Sequence, residues 1–267
     1  MPRSGIGISR FCEVYSMSHS LAGPRMKVKW AKEYISHFHT KADMFLRKHH
    51  YPVIDRNSEA GVTLIRLRID RNMPLLLWGV RIGTIVHQLR SSLDHLVYQL
   101  ARINGCSTPK KTEFPIYHAA QKFEADGRRK IQLLAPAAQT IIEALQPYHR
   151  GNLFESDPLY QLHQLDLIDK HRTIIFAEGV IEEGGRVVLV PSTASVRLSG
   201  ATRKPLQDGA ILSRIPTNSA DVNVEQTITL AVMFQEPGPL QGKPVIPTLT
   251  QFCDFTEYVI ALFDGCC

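Results

Sequence analysis

No run of about 18 consecutive apolar residues occurs in this chain, so the sequence pattern holds no membrane-spanning helix. No charged-then-apolar leader precedes the first amphipathic segment either, and the expected location is the cytoplasm. The five cysteines, Cys12, Cys106, Cys253, Cys266 and Cys267, are odd in number and scattered. Without a Cys-x-x-Cys pair, a zinc ribbon and a redox motif are excluded, and a reducing compartment fits. The final Cys266-Cys267 follows no polybasic stretch, which argues against prenylation. Also missing are the His-Glu-x-x-His metalloprotease pair, the Gly-x-Ser-x-Gly elbow of serine hydrolases and a phosphate-cradling glycine loop. No cofactor and no resident metal are expected. No internal repeat or low-complexity tract is present.

What the chain does have is enough apolar residue, 44% of 267, to build a sizeable core. Its net charge of +6 conceals an asymmetry. Residues 1–150 carry 23 Lys and Arg against 11 Asp and Glu, whereas the remainder carries 8 against 14. The basic half either meets an anionic partner such as RNA or is matched by the acidic half within one fold.

One stretch organises the rest. From Pro74 to Asn104, Ile82, Ile85, Val86, Leu89, Leu93, Leu96, Val97 and Leu100 recur at steps of three and four. At roughly 100° per residue they fall on one face of a helix. Proline suits its first turn and Gly105 its end. A second stripe carries His87, Arg90, Ser91, Asp94 and Tyr98, with Arg90 and Asp94 spaced to touch. The stripe holds no Lys or Glu, the usual fillers of a solvated helix face. It reads either as a solvated ion pair or as a partly buried polar site. His95 falls about 140° around the helix from Arg90.

Residues 1–25 show no periodicity and read as a disordered arm. The amphipathic pattern begins after Met26, which raises Met26 as an alternative start. Met26 to His50 reads as a helix, with His37, His39, His49 and His50 on differing faces rather than as one ligand set. Residues 51–70 read as a hairpin through Asn57 to Gly61, its second strand presenting Arg66 and Arg68 on one face. Short helices follow around Gly127-Arg128-Arg129-Lys130, the densest basic cluster, and over Pro136 to Gln146. Asp157-Pro158 is a strong helix start. The helix behind it, Leu159 to Arg172, is polar on almost every side: His163, Asp166 and Lys170 share one face, and Asp169, His171 and Arg172 lie in the last turn. Its leucines argue burial, so its polar groups need partners, and the polar stripe of the central helix is the natural one. From Thr173 to about 235 the residues alternate or run β-branched, with Glu182 to Gly185 as a turn signal. Thr248 to Phe263 reads as a closing helix.

The segments RSSLDHLVYQLA, TEFPIY, LQPY and LHQLDLIDKHR together resemble a family of uncharacterised bacterial and phage proteins. That resemblance covers residues 26–180 and, more weakly, the closing helix. Arg90-Ser91-Ser92-Leu93-Asp94-His95 also resembles the arginine–histidine motif of HEPN domains, many of which are metal-independent ribonucleases working as helical dimers. That resemblance implies a homodimer in which Arg90 holds the scissile phosphate and His95 manages protons. The chain departs from the all-helical build of that family in its second half.

Three functional readings stay open. The first is a metal-independent ribonuclease using Arg90 and His95; the wider polar site expected between the two helices draws its candidate catalytic groups from Arg90, His95, Asp94, His87, Asp169 and His171, with Lys170, Arg172 and Tyr98 as candidates for binding RNA or another anion. The second is a metal-dependent hydrolase with ligands from His87, Asp94, His163, Asp166 and His171. The third is a non-enzymatic module in which Arg90–Asp94 and Asp169–His171–Arg172 form a buried polar network that fixes helix register, while the protein binds a partner in a defence or phage context. The fold class expected is α+β: a single domain with a helical layer from 26–172 and 248–263 on an antiparallel sheet from 173–235, which the 51–70 hairpin joins.

Overall fold

The computed structural model describes residues 21–55, 62–174, 176–180, 186–188, 195–197, 207–216, 225–227 and 230–266. The class is α+β. In chain order the elements are α1 (Ala22–His49), β1 (His50–Asp55), β2 (Val62–Ile69), the central α2 (Leu75–Ile103), α3 (Ala120–Lys122), a π-turn (Phe123–Gly127), α4 (Arg128–Ile131), α5 (Pro136–Ala144), a 3-10 stretch (Pro147–Ser156) and α6 (Pro158–His171). Strands β3 (Phe176–Val180), β4 (Arg186–Val188), β5 (Ser195–Arg197), β6 (Ile211–Pro216), β7 (Glu225–Thr227) and β8 (Leu230–Phe234) follow, and α7 (Val245–Ala261) closes the chain. Among the described residues no helix is long and apolar enough to cross a membrane.

The helix starts earlier than the periodicity suggested. Residues 22–25, read from sequence as part of an unstructured arm, already form the first turn of α1. Pro24 fits there because a first-turn N–H has no helical acceptor to lose. Residues 1–20 lie outside the described part, as do the turns through Asn57 to Gly61 and Glu182 to Gly185.

Two compact units emerge, each gathered from separate stretches. One takes the described residues up to 34, with 83–172 and those from 249 onward; the other takes 35–82 and 173–248.

In the first unit the apolar stripe of α2 is wholly withdrawn from water: Ile85, Val86, Leu89, Leu93, Leu96 and Val97 are each 0% exposed. Val28 and Ala31 of α1, Leu159, Leu162 and Leu165 of α6, Phe114, Phe123 and Ile142, and Phe252 and Phe263 complete this core. Helix α6 is capped as its sequence demands, the Asp157 carboxylate accepting from the Leu159 N–H at 2.8 Å. The 3-10 stretch ahead of it has no periodic apolar signal.

In the second unit the strands lie in three antiparallel sheets, ordered β1-β2-β6, β3-β8 and β5-β4-β7. The 50–69 hairpin pairs Tyr51 with Arg68 and Asp55 with Leu64, and β2 goes on to pair with β6 across a bulge at Ile65/Arg66. Ile65 and Leu67 are buried, as the alternation requires. Trp78 meets Phe38 and Phe45 edge-on, each with ring centroids 5.5 Å apart. Gly79 is a close-approach position: a Cβ there would stand 2.2 Å from the Thr173 methyl.

Candidate functional site

The polar stripe of α2 turns inward at Arg90, whose side chain is 4% exposed. One terminal nitrogen donates to Asp94 at 2.5 Å. The other donates to Glu113 at 3.1 Å and to the Phe114 carbonyl at 2.9 Å. Asp94 also accepts the Phe114 N–H at 2.9 Å. A buried guanidinium is tolerable only when paired and hydrogen-bonded, and here both requirements are met. The result clamps the segment 113–114 onto the helix. Gln146 extends the clamp: its amide donates to Pro115 and Ile142 carbonyls and accepts the Tyr117 N–H.

One turn before Arg90, His87 faces α6. Its Nδ1 lies 3.0 Å from Oδ1 of Asp166. Asp166 is fully buried while the His87 side chain is 53% exposed, so the carboxylate is sheltered and the ring reaches solvent. Lys170 Nζ stands 2.6 Å from the second oxygen of Asp166. One further turn back, at Gly83, α2 and Asp169 are in close approach: a Cβ on Gly83 would sit 1.7 Å from Asp169 Oδ1. Burial, reinforced by the Asp166 charge, raises the Asp169 carboxyl above its usual range. His163 completes the group on α6. Burial and the charge of Arg90 hold its imidazole down to about 4, so it is neutral at neutral pH. Its Nδ1 is buried with no hydrogen-bond partner among the described residues.

The two polar stripes therefore face one another, but not with every residue the sequence nominated. Arg90 and His95 share no partner. His95 lies half-buried against Gly23, where a Cβ would stand 2.4 Å from its Cε1. Its Nε2 is 3.0 Å from the Gln99 amide nitrogen. Burial and the charge of Lys27 push its pKa down. The arginine–histidine pair that the HEPN resemblance implies is thus not assembled within one chain. Tyr98, one turn beyond Asp94, also stands near the His95 ring, with centroids 6.5 Å apart, and is partly exposed. His171 and Arg172, in and just after the last turn of α6, are exposed. Ser91 accepts from Lys27 at 2.5 Å, and Ser92 is buried, donating to the Leu89 carbonyl. His87, Asp94, His163, Asp166 and His171 do not converge as a metal set: among the described residues no group of three or more His, Cys, Asp or Glu is placed to hold an ion. His87 and Asp166 pair with each other, Asp94 is taken by Arg90 and the Phe114 N–H, and His171 is exposed.

Comparison with known protein families, curated proteins and solved structures finds no match.

Sequence reasoning missed Glu113 as a partner of Arg90 and did not single out Asp166 as the group on α6 that meets His87. The TEFPIY segment that carries Glu113 has no helical or strand period, so no pattern tied it to α2. Asp166 was visible as part of a His163–Asp166–Lys170 face, and only its pairing with His87 needed coordinates.

The basic candidates also sort themselves. Arg66 pairs with Asp55 at 2.9 Å and Arg68 approaches Asp70 and Asp208, so the basic strand face is largely neutralised. In the 127–130 cluster Arg128 pairs with Glu124 and Glu143, Arg129 with Asp126, and Lys130 with Glu113 and Asp126.

Proposed function

We propose that the face shared by α2 and α6 is an acid–base site of a metal-independent phosphodiester-cleaving enzyme, with RNA as the substrate class. The observation that carries this reading is the Asp166–His87 dyad. A sheltered carboxylate accepts the Nδ1 proton, fixes the tautomer and turns the lone pair of Nε2 outward. Nε2 has no partner among the described residues, and the ring is exposed enough to meet a substrate. The same carboxylate-to-imidazole logic serves general bases on unrelated folds.

In the proposed step Nε2 takes the proton of a ribose 2′-hydroxyl. The 2′-oxygen bonds to the adjacent phosphorus as the bond from phosphorus to the 5′-oxygen breaks, and the departing oxygen takes a proton from water. Lys170, half exposed beside the dyad, supplies positive charge for the phosphate. Arg90 is given a scaffold role in this scheme, since its terminal nitrogens are already committed.

The test is cleavage of a single-stranded RNA by the full chain in EDTA. His87→Asn and Asp166→Asn should each lower the rate by about a hundredfold or more while leaving the fold intact by circular dichroism. Cleavage that survives His87→Asn would refute the assignment. So would an inactive wild type in which His87→Asn only lowers stability; the dyad would then be a structural tie between two helices.

A further inference from the structure

A second cluster lies away from the dyad's own residues, where the 110–113 segment meets the π-turn and α4. A cleft of about 490 Å³ opens between them. Two of its lining groups are carboxylates, and both are already engaged: Glu113 by Arg90 and Lys130, Asp126 by Arg129, Lys130 and the Tyr117 hydroxyl. Lys110 and Lys111 also line it. Both are exposed, and neither has an acidic partner among the described residues. The cleft therefore holds two positive charges that nothing in it compensates. Thr112 and Gln132, with neutral hydrogen-bonding side chains, line it as well.

Three features set this cluster apart from scattered surface lysines. Lys111 is held at φ 60°, the one non-glycine residue in the left-handed region among those described. Such backbone persists only where surroundings over-determine it, and it gathers at binding sites. The surroundings here are visible: Arg90 and Asp94 clamp both backbone groups of Phe114, so the segment is anchored from the buried side. On the opposite wall Arg129 and Lys130 follow a π-turn, closed by the Arg128 N–H onto the Phe123 carbonyl, a winding frequent at functional sites. Lys130 is further steadied over the Tyr117 ring at 5.4 Å.

We infer that this cleft binds a phosphate-bearing ligand of nucleotide size through Lys110, Lys111, Arg129 and Lys130. Its volume exceeds what one inorganic phosphate fills and lies within the range of small-molecule sites. Four lining cations, two of them without an acidic partner among the described residues, beside two neutral hydrogen-bonding side chains suit a compact, multiply charged group. The phosphate belongs either to a free nucleotide-like compound or to the 5′ end of an oligonucleotide.

Calorimetry on the full chain at physiological ionic strength tests this with inorganic pyrophosphate as probe. The wild type should bind, and Lys110→Ala/Lys111→Ala should weaken binding at least about tenfold, or 1.4 kcal/mol. Lys41→Ala, on the exposed side of α1, should leave it unchanged. Lys111→Gly should fold at least as stably, since glycine accepts the left-handed backbone, and still bind more weakly. If a 5′-phosphorylated RNA oligomer displaces pyrophosphate and its 5′-hydroxyl twin does not, the ligand is a chain end; if neither displaces it, the ligand is a small phosphorylated compound. Both results support the site. No binding by the wild type, or equal binding by the double variant, overturns it. His87→Asn should bind pyrophosphate like the wild type, which keeps this cleft separable from the dyad.

Discussion

At the scale of single residues, Arg90 decides between the two readings of its stripe: a partly buried polar site, not a solvated ion pair. Its charge is buried and its geometry satisfied, with one carboxylate on its own helix and another brought in by a segment 23 residues downstream. Removing it leaves the Phe114 carbonyl without its donor and takes one partner each from Asp94 and Glu113, which keep the Phe114 N–H and Lys130. Arg90→Ala should therefore cost about 1–3 kcal/mol in chemical denaturation, with Arg90→Met, which keeps the side-chain volume, costing less. A catalytic arginine at an open site would give the reverse pattern, with activity lost and stability almost untouched. His87 shows the opposite disposition: the ring is half in water, and only its sheltered partner makes it notable.

At the scale of elements, the contact between α2 and α6 turns on a missing side chain. Gly83 costs helix stability by its nature, yet a methyl group there would run into the Asp169 carboxylate. Gly83→Ala alone should gain nothing or lose stability. In an Asp169→Ala background the same change should stabilise by about 1 kcal/mol, the helix-propensity gain no longer being offset. Additivity across that double-mutant cycle, followed by thermal melts, would rule the contact out. The helices themselves were legible from sequence because their apolar period of 3.6 is strong. Asp157-Pro158 marked the start of α6, and Pro74 and Gly105 bracketed α2 within a residue or two. The facing of the polar stripes was legible too, since a mostly buried helix with polar groups on every side has to satisfy them somewhere. What escaped was whatever depends on non-periodic chain. The 110–117 segment, the π-turn and the 3-10 stretch carry no repeating pattern, and Glu113, Lys111 and Asp126 all sit there. His95 shared the apparent motif with Arg90 but rotates away from it, as 3.6 residues per turn dictates.

At the scale of the whole molecule, acid should act through His163. Its imidazole is held down to about 4 in the fold against 6.5 when unfolded, so the unfolded chain binds the proton more readily. The associated stability is fully present above pH 6.5 and is lost as pH falls from there through 4, amounting to at most about 3 kcal/mol. Melting temperatures across that window should decline, and His163→Gln should flatten the decline; an unchanged profile in the variant would show that other groups govern it. The division of the chain has a consequence of its own. Three of the four seams, after residues 34, 82 and 248, fall inside α1, α2 and α7, within continuous helical backbone; the fourth, after 172, follows the end of α6. No single proteolytic cut releases either unit as one peptide, and no simple truncation isolates the dyad-bearing part; obtaining it alone would require splicing three distant segments into a new connectivity.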